Sequence, residues 1–295
     1  MLVAIDLDGT LFGESLIIAP EDRAAIAEAT GRGYQICLAS GRLFAASRPF
    51  ATELGLTGPI IVLQGAVAYD LRSEQRLFCT ALPIATALTA YDYLKARGFH
   101  MQLYYGDRLY LDARGGWAEY YLTLSRIEPV MVTDLRALLT RTPPKDPGPI
   151  KILAITQPQV VSATIPGLAR VLGERANVFR SLPPFLEVTH PNANKGYALR
   201  RVAAYLGVDM SQTAAIGDSD NDIPMFQAAA RSFAVENGTD AAKRAARTIV
   251  PALGGGVAYA LRLLAEGASK LAPPLTSPSD TAPPHSSEKE AREPA

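Results

Sequence analysis

The chain has 295 residues, with 29 basic and 29 acidic side chains and no formal net charge. That balance argues against a nucleic-acid partner, which would need a basic surplus on one face. The length suits one or two compact domains with a real core, and no apolar run reaches the roughly 18 residues of a membrane span.

The first element raises a question. "LVAI" runs straight into Asp6 and Asp8, and residues two apart on a strand point to the same side. Two carboxylates ~6 Å apart repel by roughly 3 kcal/mol at an effective dielectric near 20. A fold that keeps such a pair needs a cation there, or a turn that lets both acids reach water. The strand itself, 2–7, is apolar throughout, as expected when both faces are covered. "PEDRAAIAEATGRG" reads as a helix, with Pro20 and two acids at its start and glycines at its end. "YQICLAS" is a second strand, "GRLFAASRPFATELGL" a second helix and "PIIVLQ" a third strand of the same parallel sheet. Alternating runs at 66–70 and 76–80 suggest a hairpin.

From about residue 82 the rhythm changes. A helix over "IATALTAYDYLKARG" precedes two strands around a Gly-Asp turn, "FHMQLYYGDRLYLD". An aromatic helix near Trp117, a breaker-rich loop "TPPKDPGP", the strand "IKILAIT", a helix over 159–173 and the strand pair "NVFRS" and "FLEVTH" follow. Helices mixed with antiparallel hairpins point to a separate α+β unit. Then the first rhythm returns, with a helix over "NKGYALRRVAAYLG", the strand "QTAAIG" ending in "DSDND", the helix "IPMFQAAA" and short strands "SFAV" and "TIV". A last helix, "GGVAYALRLLAEG", closes the unit. The expectation is a doubly wound α/β domain, 1–81 and 189–268, interrupted by an inserted unit, 82–188. Residues 269–295, rich in Pro, Ser and charge, are expected to form a disordered tail. The two cysteines give no disulfide framework, no leader precedes the first strand, and the default location is the cytoplasm.

Four stations lie at the carboxyl end of a strand or at the start of a helix: "DLDGT", "SGR", "NKG" and "GDSDND". Ligands of open α/β sheets bind outside the carboxyl ends of the strands, so distant segments converge on one crevice. It would hold Asp6, Asp8, Asp218 and Asp222, the Ser40 hydroxyl and the Lys195 ammonium. Hard oxygen ligands suit Mg²⁺. Ser40, Lys195 and helix amides suit a phosphate. One aspartate can then attack phosphorus and another can move the proton. Each element has a plainer reading: "DG" is a common turn, Ser40 a helix cap, Lys195 a solvated first-turn lysine. The last station is no EF-hand loop, because its sixth position is Ile223 and its twelfth Ala229. The three histidines fit neither a zinc site nor a Ser-His pair, and no Walker or dinucleotide glycine loop is present. The conjunction of all four stations, in order, carries the reading.

In that order, "DLDGT", "LASGR", "NKG" and "GDSDND" resemble the motifs of the haloacid dehalogenase-like phosphatases, and the insert after the second motif resembles the large cap of the Cof-type subfamily. The resemblance spans about 1–265. It implies a Rossmann-like core with an inserted cap domain and Mg²⁺-dependent hydrolysis of a small phosphomonoester, such as a sugar phosphate. Carried over, it makes Asp6 the nucleophile that forms an aspartyl-phosphate and Asp8 the general acid/base. Asp6, the Asp8 carbonyl and Asp218 become the Mg²⁺ ligands, supported by Asp222. Ser40, Gly41, Lys195 and Asn221 become phosphate or substrate residues, with Thr10 and Asn237 nearby. One departure is "QGA" after the third strand, where the family often has Asn-Gly-Ala; Gln64 stands there. Phosphoryl transfer to a second hydroxyl, as in a phosphomutase, is the rival within enzymes. A non-catalytic phosphometabolite-binding module is the rival outside them. Neither a nucleic acid nor a membrane is implied as partner.

Overall fold

The protein is seen as a computed structural model that describes residues 1–125, 127–141 and 148–267. The expected tail therefore lies outside the described residues.

The central sheet has five parallel strands. Strand β1 (Leu2–Ile5) is flanked by β2 (Gln35–Leu38) and β12 (Thr213–Gly217), with β13 (Arg231–Val235) and β14 (Thr248–Val250) beyond β12. The order across the sheet is β14-β13-β12-β1-β2. Register aligns the strand ends. Ile5 stands level with Leu38 on one side and Ile216 on the other. The residues after that row are Asp6, Ala39 and Gly217, then Ser40 and Asp218, so three distant segments leave the sheet side by side. Every residue of β1 is buried on both faces, which is why it reads as a continuous apolar run.

The third strand keeps its expected parallel alignment beside β2 but joins it by a single bridge. β3 (Pro59–Val62) pairs antiparallel with β4 (Val67–Asp70), which pairs with β5 (Arg76–Cys79), in a separate three-stranded sheet. It meets the parallel sheet through the parallel bridge from Ala39 to Ile61 and the Ser40 amide, which donates to the Ile61 carbonyl at 2.9 Å. Just after β3, Leu63 and Gln64 both adopt positive φ (52° and 60°), and this reversal turns the chain back into the hairpin.

A six-stranded sheet is built from residues between His100 and Thr189. It comprises β6 (His100–Tyr105), β7 (Arg108–Leu111), β8 (Val130–Met131), β9 (Lys151–Ile155), β10 (Asn177–Arg180) and β11 (Phe185–Thr189), in the order β10-β11-β9-β6-β7-β8. One face, with Met101, Leu103, Ile152, Ala154, Leu186 and Val188, packs into a cluster with helices α3 (Ile84–Lys95), α5 (Leu135–Thr140) and α6 (Pro158–Leu172). Helix α4 (Trp117–Ser125) joins the other side. There Tyr104, Leu153, Ile155 and Phe185 belong to the same apolar cluster as Leu7, Phe12 and Phe44 from the first segment. The aromatics of this unit are mostly core, as their spacing implies: Tyr104, Tyr105 and Tyr121 are buried, whereas Tyr120 is exposed. The sequence reading missed β8 and α5, which are two and six residues long.

Candidate active site

Asp6 leaves β1 at the carboxyl edge of the parallel sheet, its amide bonded to the carbonyl of Ile216 at 3.0 Å. Across the crevice, helix α7 (Lys195–Leu206) starts under an N-cap in which Asn194 Oδ1 accepts from the Tyr197 amide at 2.8 Å. This cap fixes Lys195 at the first turn, and Gly65 lets the two segments touch. Gly65 has φ +93°, and a Cβ there would run into the backbone of Asn194 and Lys195. The ammonium donates 2.6 Å hydrogen bonds to Asp6 Oδ1 and to Asp222 Oδ1. All three side chains are buried.

The fourth station wraps this pair. Asp222 Oδ2 accepts from the amides of Asp218 (2.9 Å) and Ser219 (3.0 Å), closing a capping box around the turn. The Thr10 hydroxyl donates to Asp218 Oδ1 at 2.8 Å. Gly9, with φ +88°, lies so close to the Asp218 carboxylate that any Cβ would displace it. The result is a cluster in which carboxylate oxygens of Asp6, Asp218 and Asp222 all lie within 4.8 Å of one another.

Three carboxylates around one ammonium leave negative charge in excess. Burial, the chief cause, pushes the Asp6 carboxyl well above the ordinary range. Lys195 opposes that shift, while Asp222 and Asp218 add to it. Asp218 is also raised, by burial first, against the pull of its Thr10 bond. Burial disfavours the charged form of Lys195, but attraction to Asp222 and Asp6 outweighs it and the pKa rises. A close set of hard carboxylate oxygens suits a small divalent cation such as Mg²⁺. Asp6, Asp218 and Asp222 each offer one oxygen to such an ion. Asp222, expected as a supporting residue, lies within the acidic cluster itself.

Asp8 points elsewhere. Its side chain is half exposed, and both its oxygens are gripped by the guanidinium of Arg42, Nε to Oδ2 at 2.8 Å and NH2 to Oδ1 at 2.5 Å. The guanidinium stacks over Phe12 and Phe50, 5.4 and 5.7 Å from the ring centres. Arg42 was not singled out from the sequence, although it sits inside "SGR". The predicted helix over that motif starts later than expected. Helix α2 is Phe44–Glu53, and residues 41–43 form a loop that frees Arg42 to reach Asp8.

The remaining predicted residues form a second layer. Ser40 is buried, its Oγ accepting from the Arg42 amide at 3.1 Å. Gln64 lies over Gly41, where a Cβ would meet its amide. Its Oε1 accepts from Asn221 Nδ2 at 2.9 Å. The longer amide thus reaches the site and ties the second station to the fourth. The left-handed backbone at Leu63 and Gln64, of order 1–2 kcal/mol of strain per residue, is held by bonds from their amides to Arg42 and Ser40 carbonyls. Asn237 braces the first loop, donating to the Gly9 carbonyl at 2.8 Å.

The sequence profile of the haloacid dehalogenase-like hydrolases matches residues 3–261. Among curated proteins, the chain is 27% identical to the 5-amino-6-(5-phospho-D-ribitylamino)uracil phosphatase YitU of Bacillus subtilis, over 83% of this chain and 90% of that one. It is 25% identical to the pyridoxal phosphate phosphatase YbhA of Escherichia coli, over 84% and 92%. Among solved structures, a protein of Thermotoga maritima superposes with a TM-score of 0.79 at 27% identity, covering 88% of this chain and 96% of that one. Among the described residues, no helix is long and apolar enough to cross a membrane.

Proposed function

The chain belongs to the haloacid dehalogenase-like hydrolases, and from that premise we propose that it is a Mg²⁺-dependent phosphatase of small phosphomonoesters working through an aspartyl-phosphate. One observation carries the reading: at the carboxyl edge of the parallel sheet, Asp6 sits in a buried cluster with Asp218, Asp222 and Lys195. The two curated relatives act on pyridoxal phosphate and on a phosphorylated ribityl uracil, which supports a phosphorylated metabolite as substrate.

In this reading each residue takes the role that the family resemblance implies. Asp6 is the nucleophile, and its bond from Lys195 fixes the orientation of the attacking oxygen. Ser40, the loop amides after it and Lys195 receive the phosphoryl oxygens. Bound at Asp6, Asp218 and the Asp8 carbonyl, Mg²⁺ would supply the positive charge that three carboxylates and a phosphate together lack. Asp8 gives a proton to the departing oxygen and later takes one from the water that frees Asp6. Residues 82–188 act as the cap that covers the crevice and reads the leaving group, joined to 1–81 and 189–268 by two connections.

The test is hydrolysis of p-nitrophenyl phosphate and of a panel of phosphorylated metabolites, with Mg²⁺ and with a chelator. Turnover that requires Mg²⁺ is the expected result. Silence on every phosphomonoester tried, with the metal present, would overturn the proposal.

A further inference from the structure

Gln64 stands just after β3 with φ 60° and ψ 22°, in the left-handed region that a residue with a Cβ seldom occupies. Strain of this kind collects at ligand clamps and active sites, and here it puts a carboxamide between two stations. The amide is held in one sense. The Ser219 hydroxyl donates to Asn221 Oδ1 at 2.8 Å, and Asp222 Oδ2 is farther from it at 3.5 Å. Asn221 Nδ2 then donates to Gln64 Oε1 at 2.9 Å. Each link fixes the next: with its oxygen taken by the hydroxyl, Asn221 presents its nitrogen, and Gln64 must answer with its oxygen. Gln64 Nε2 is left at the other end, with two N–H groups and no acceptor among the described residues.

That nitrogen lies over Gly41. A Cβ built on Gly41 would stand 2.5 Å from Nε2 and 3.3 Å from Oε1, so the donor end is the nearer one and glycine leaves it room. The Gly41 amide has no acceptor among the described residues either. The neighbouring Ser40 hydroxyl accepts from the Arg42 amide and has its own hydrogen to give. Donors gathered at one loop without an acceptor are satisfied together by an anion. We propose that Gln64 is a substrate-binding residue: its Nε2 donates to an oxygen of the phosphoryl group, and Asn221, held by Ser219, orients the amide instead of touching the substrate. The extra methylene of glutamine over asparagine lets one side chain reach Asn221 with its oxygen and the second station with its nitrogen. The proposal deepens the phosphatase reading and rests on it.

The experiment uses the full chain with Mg²⁺, inorganic phosphate as ligand and p-nitrophenyl phosphate as substrate. The Gln64 side-chain N–H resonances are assigned by their loss in Gln64→Glu, which keeps the acceptor for Asn221. Phosphate added to the wild type should move them together with the Gly41 amide, at one dissociation constant. Gln64→Leu should weaken inhibition by phosphate and raise KM, each roughly ten- to a hundredfold, the size of a hydrogen bond to a charged group. Its kcat should fall less, because the bond is made in the bound substrate as well as in the transition state. Gln64→Glu should bind phosphate no better than Gln64→Leu. Asn221→Leu keeps Nε2 but lets the amide turn, so its loss should be smaller. The Gln64→Leu/Asn221→Leu double variant should be no worse than Gln64→Leu, since Asn221 acts through Gln64. A Gly41 amide that moves with phosphate while the Gln64 signals stay would overturn the proposal and leave the phosphatase reading standing. So would a Gln64→Glu variant inhibited by phosphate as the wild type is, which would reduce Gln64 to a strut between loops. A double variant whose loss is the product of the two singles would overturn the role given to Asn221, and the proposal with it. If the wild type neither bound phosphate nor hydrolysed the ester, the phosphatase reading would fail as well.

Discussion

Among the described residues two lysines are buried, and their surroundings differ in one respect. Lys151, on β9 of the six-stranded sheet, faces a single carboxylate, Glu187 Oε2 at 3.1 Å. The other oxygen of Glu187 accepts from the Ser181 hydroxyl at 2.7 Å, and the ammonium lies 4.7 Å from the Tyr104 ring centre. One charge answers one charge. Lys195 bonds two carboxylates at 2.6 Å, and a third, Asp218, stands within the same cluster. The first arrangement is complete as it stands. The second is short of positive charge, and burial, with the neighbouring Asp222, raises the Asp6 and Asp218 carboxyls above the ordinary range. Burial alone does not mark a functional site, because both lysines are buried. The imbalance does.

The comparison can be broken most sharply at Asp6. Asp6→Asn is nearly isosteric but makes a poor nucleophile. It should lower turnover of any accepted phosphomonoester by more than about a thousandfold, some 4 kcal/mol of barrier. Far-ultraviolet circular dichroism should stay unchanged. A variant with near-wild-type kcat would exclude the covalent mechanism.

Lys151→Met tests the other half. Removing one partner of a balanced buried pair strands its carboxylate and should cost about 3–5 kcal/mol of stability, read as a lower denaturant midpoint. The Lys151→Met/Glu187→Leu double variant should recover most of that loss, because no charge is left alone. If the double variant fell as far as the single one, Lys151 and Glu187 would be doing something other than balancing each other.

A smaller effect separates the sites by metal. Mg²⁺ at about a hundred times its dissociation constant should stabilise the protein by roughly 2.7 kcal/mol, about 5–10 °C in Tm. Asp218→Asn should remove that shift and the Lys151/Glu187 double variant should keep it. A wild-type Tm that ignores millimolar Mg²⁺ would count against the metal site.

The smallest effect is in the pH dependence. Asp6 and Asp218 have folded pKa values raised above the ordinary 3.8. The stability they contribute without metal is therefore fully present below that value and is lost as pH rises through their folded values. Without Mg²⁺, the Tm of wild type should fall relative to Asp218→Asn as pH climbs from about 4. The stabilisation given by Mg²⁺ should grow over the same window, since the metal favours the ionised acids. A Mg²⁺ shift independent of pH would mean that these carboxylates are already ionised in the metal-free fold.

What the sequence determined by itself was the set of stations and their placement. Apolar runs ending at Asp6, Ser40 and Asp218, and a helix starting at Lys195, are local patterns. Local patterns fix where a chain leaves a strand or enters a helix. The alternation of strands and helices in the first and last thirds, and the change of rhythm near residue 82, came from the same periodicity. Four things were decided only in three dimensions. The third strand turns back into an antiparallel hairpin through two left-handed residues at 63 and 64, and neither is a glycine that would announce it. Arg42 became the partner of Asp8 because the loop before α2 and the rings of Phe12 and Phe50 aim it, and each lies in a different segment. Gln64 reached Asn221 across 157 positions. Asp107, which reads as an ordinary turn residue, caps a helix that its own segment leaves bare. A carboxylate or an amide looks the same in sequence whether it faces water or a distant partner. Its role is settled by which surfaces the packed chain brings within hydrogen-bonding reach, and that is a property of the whole fold.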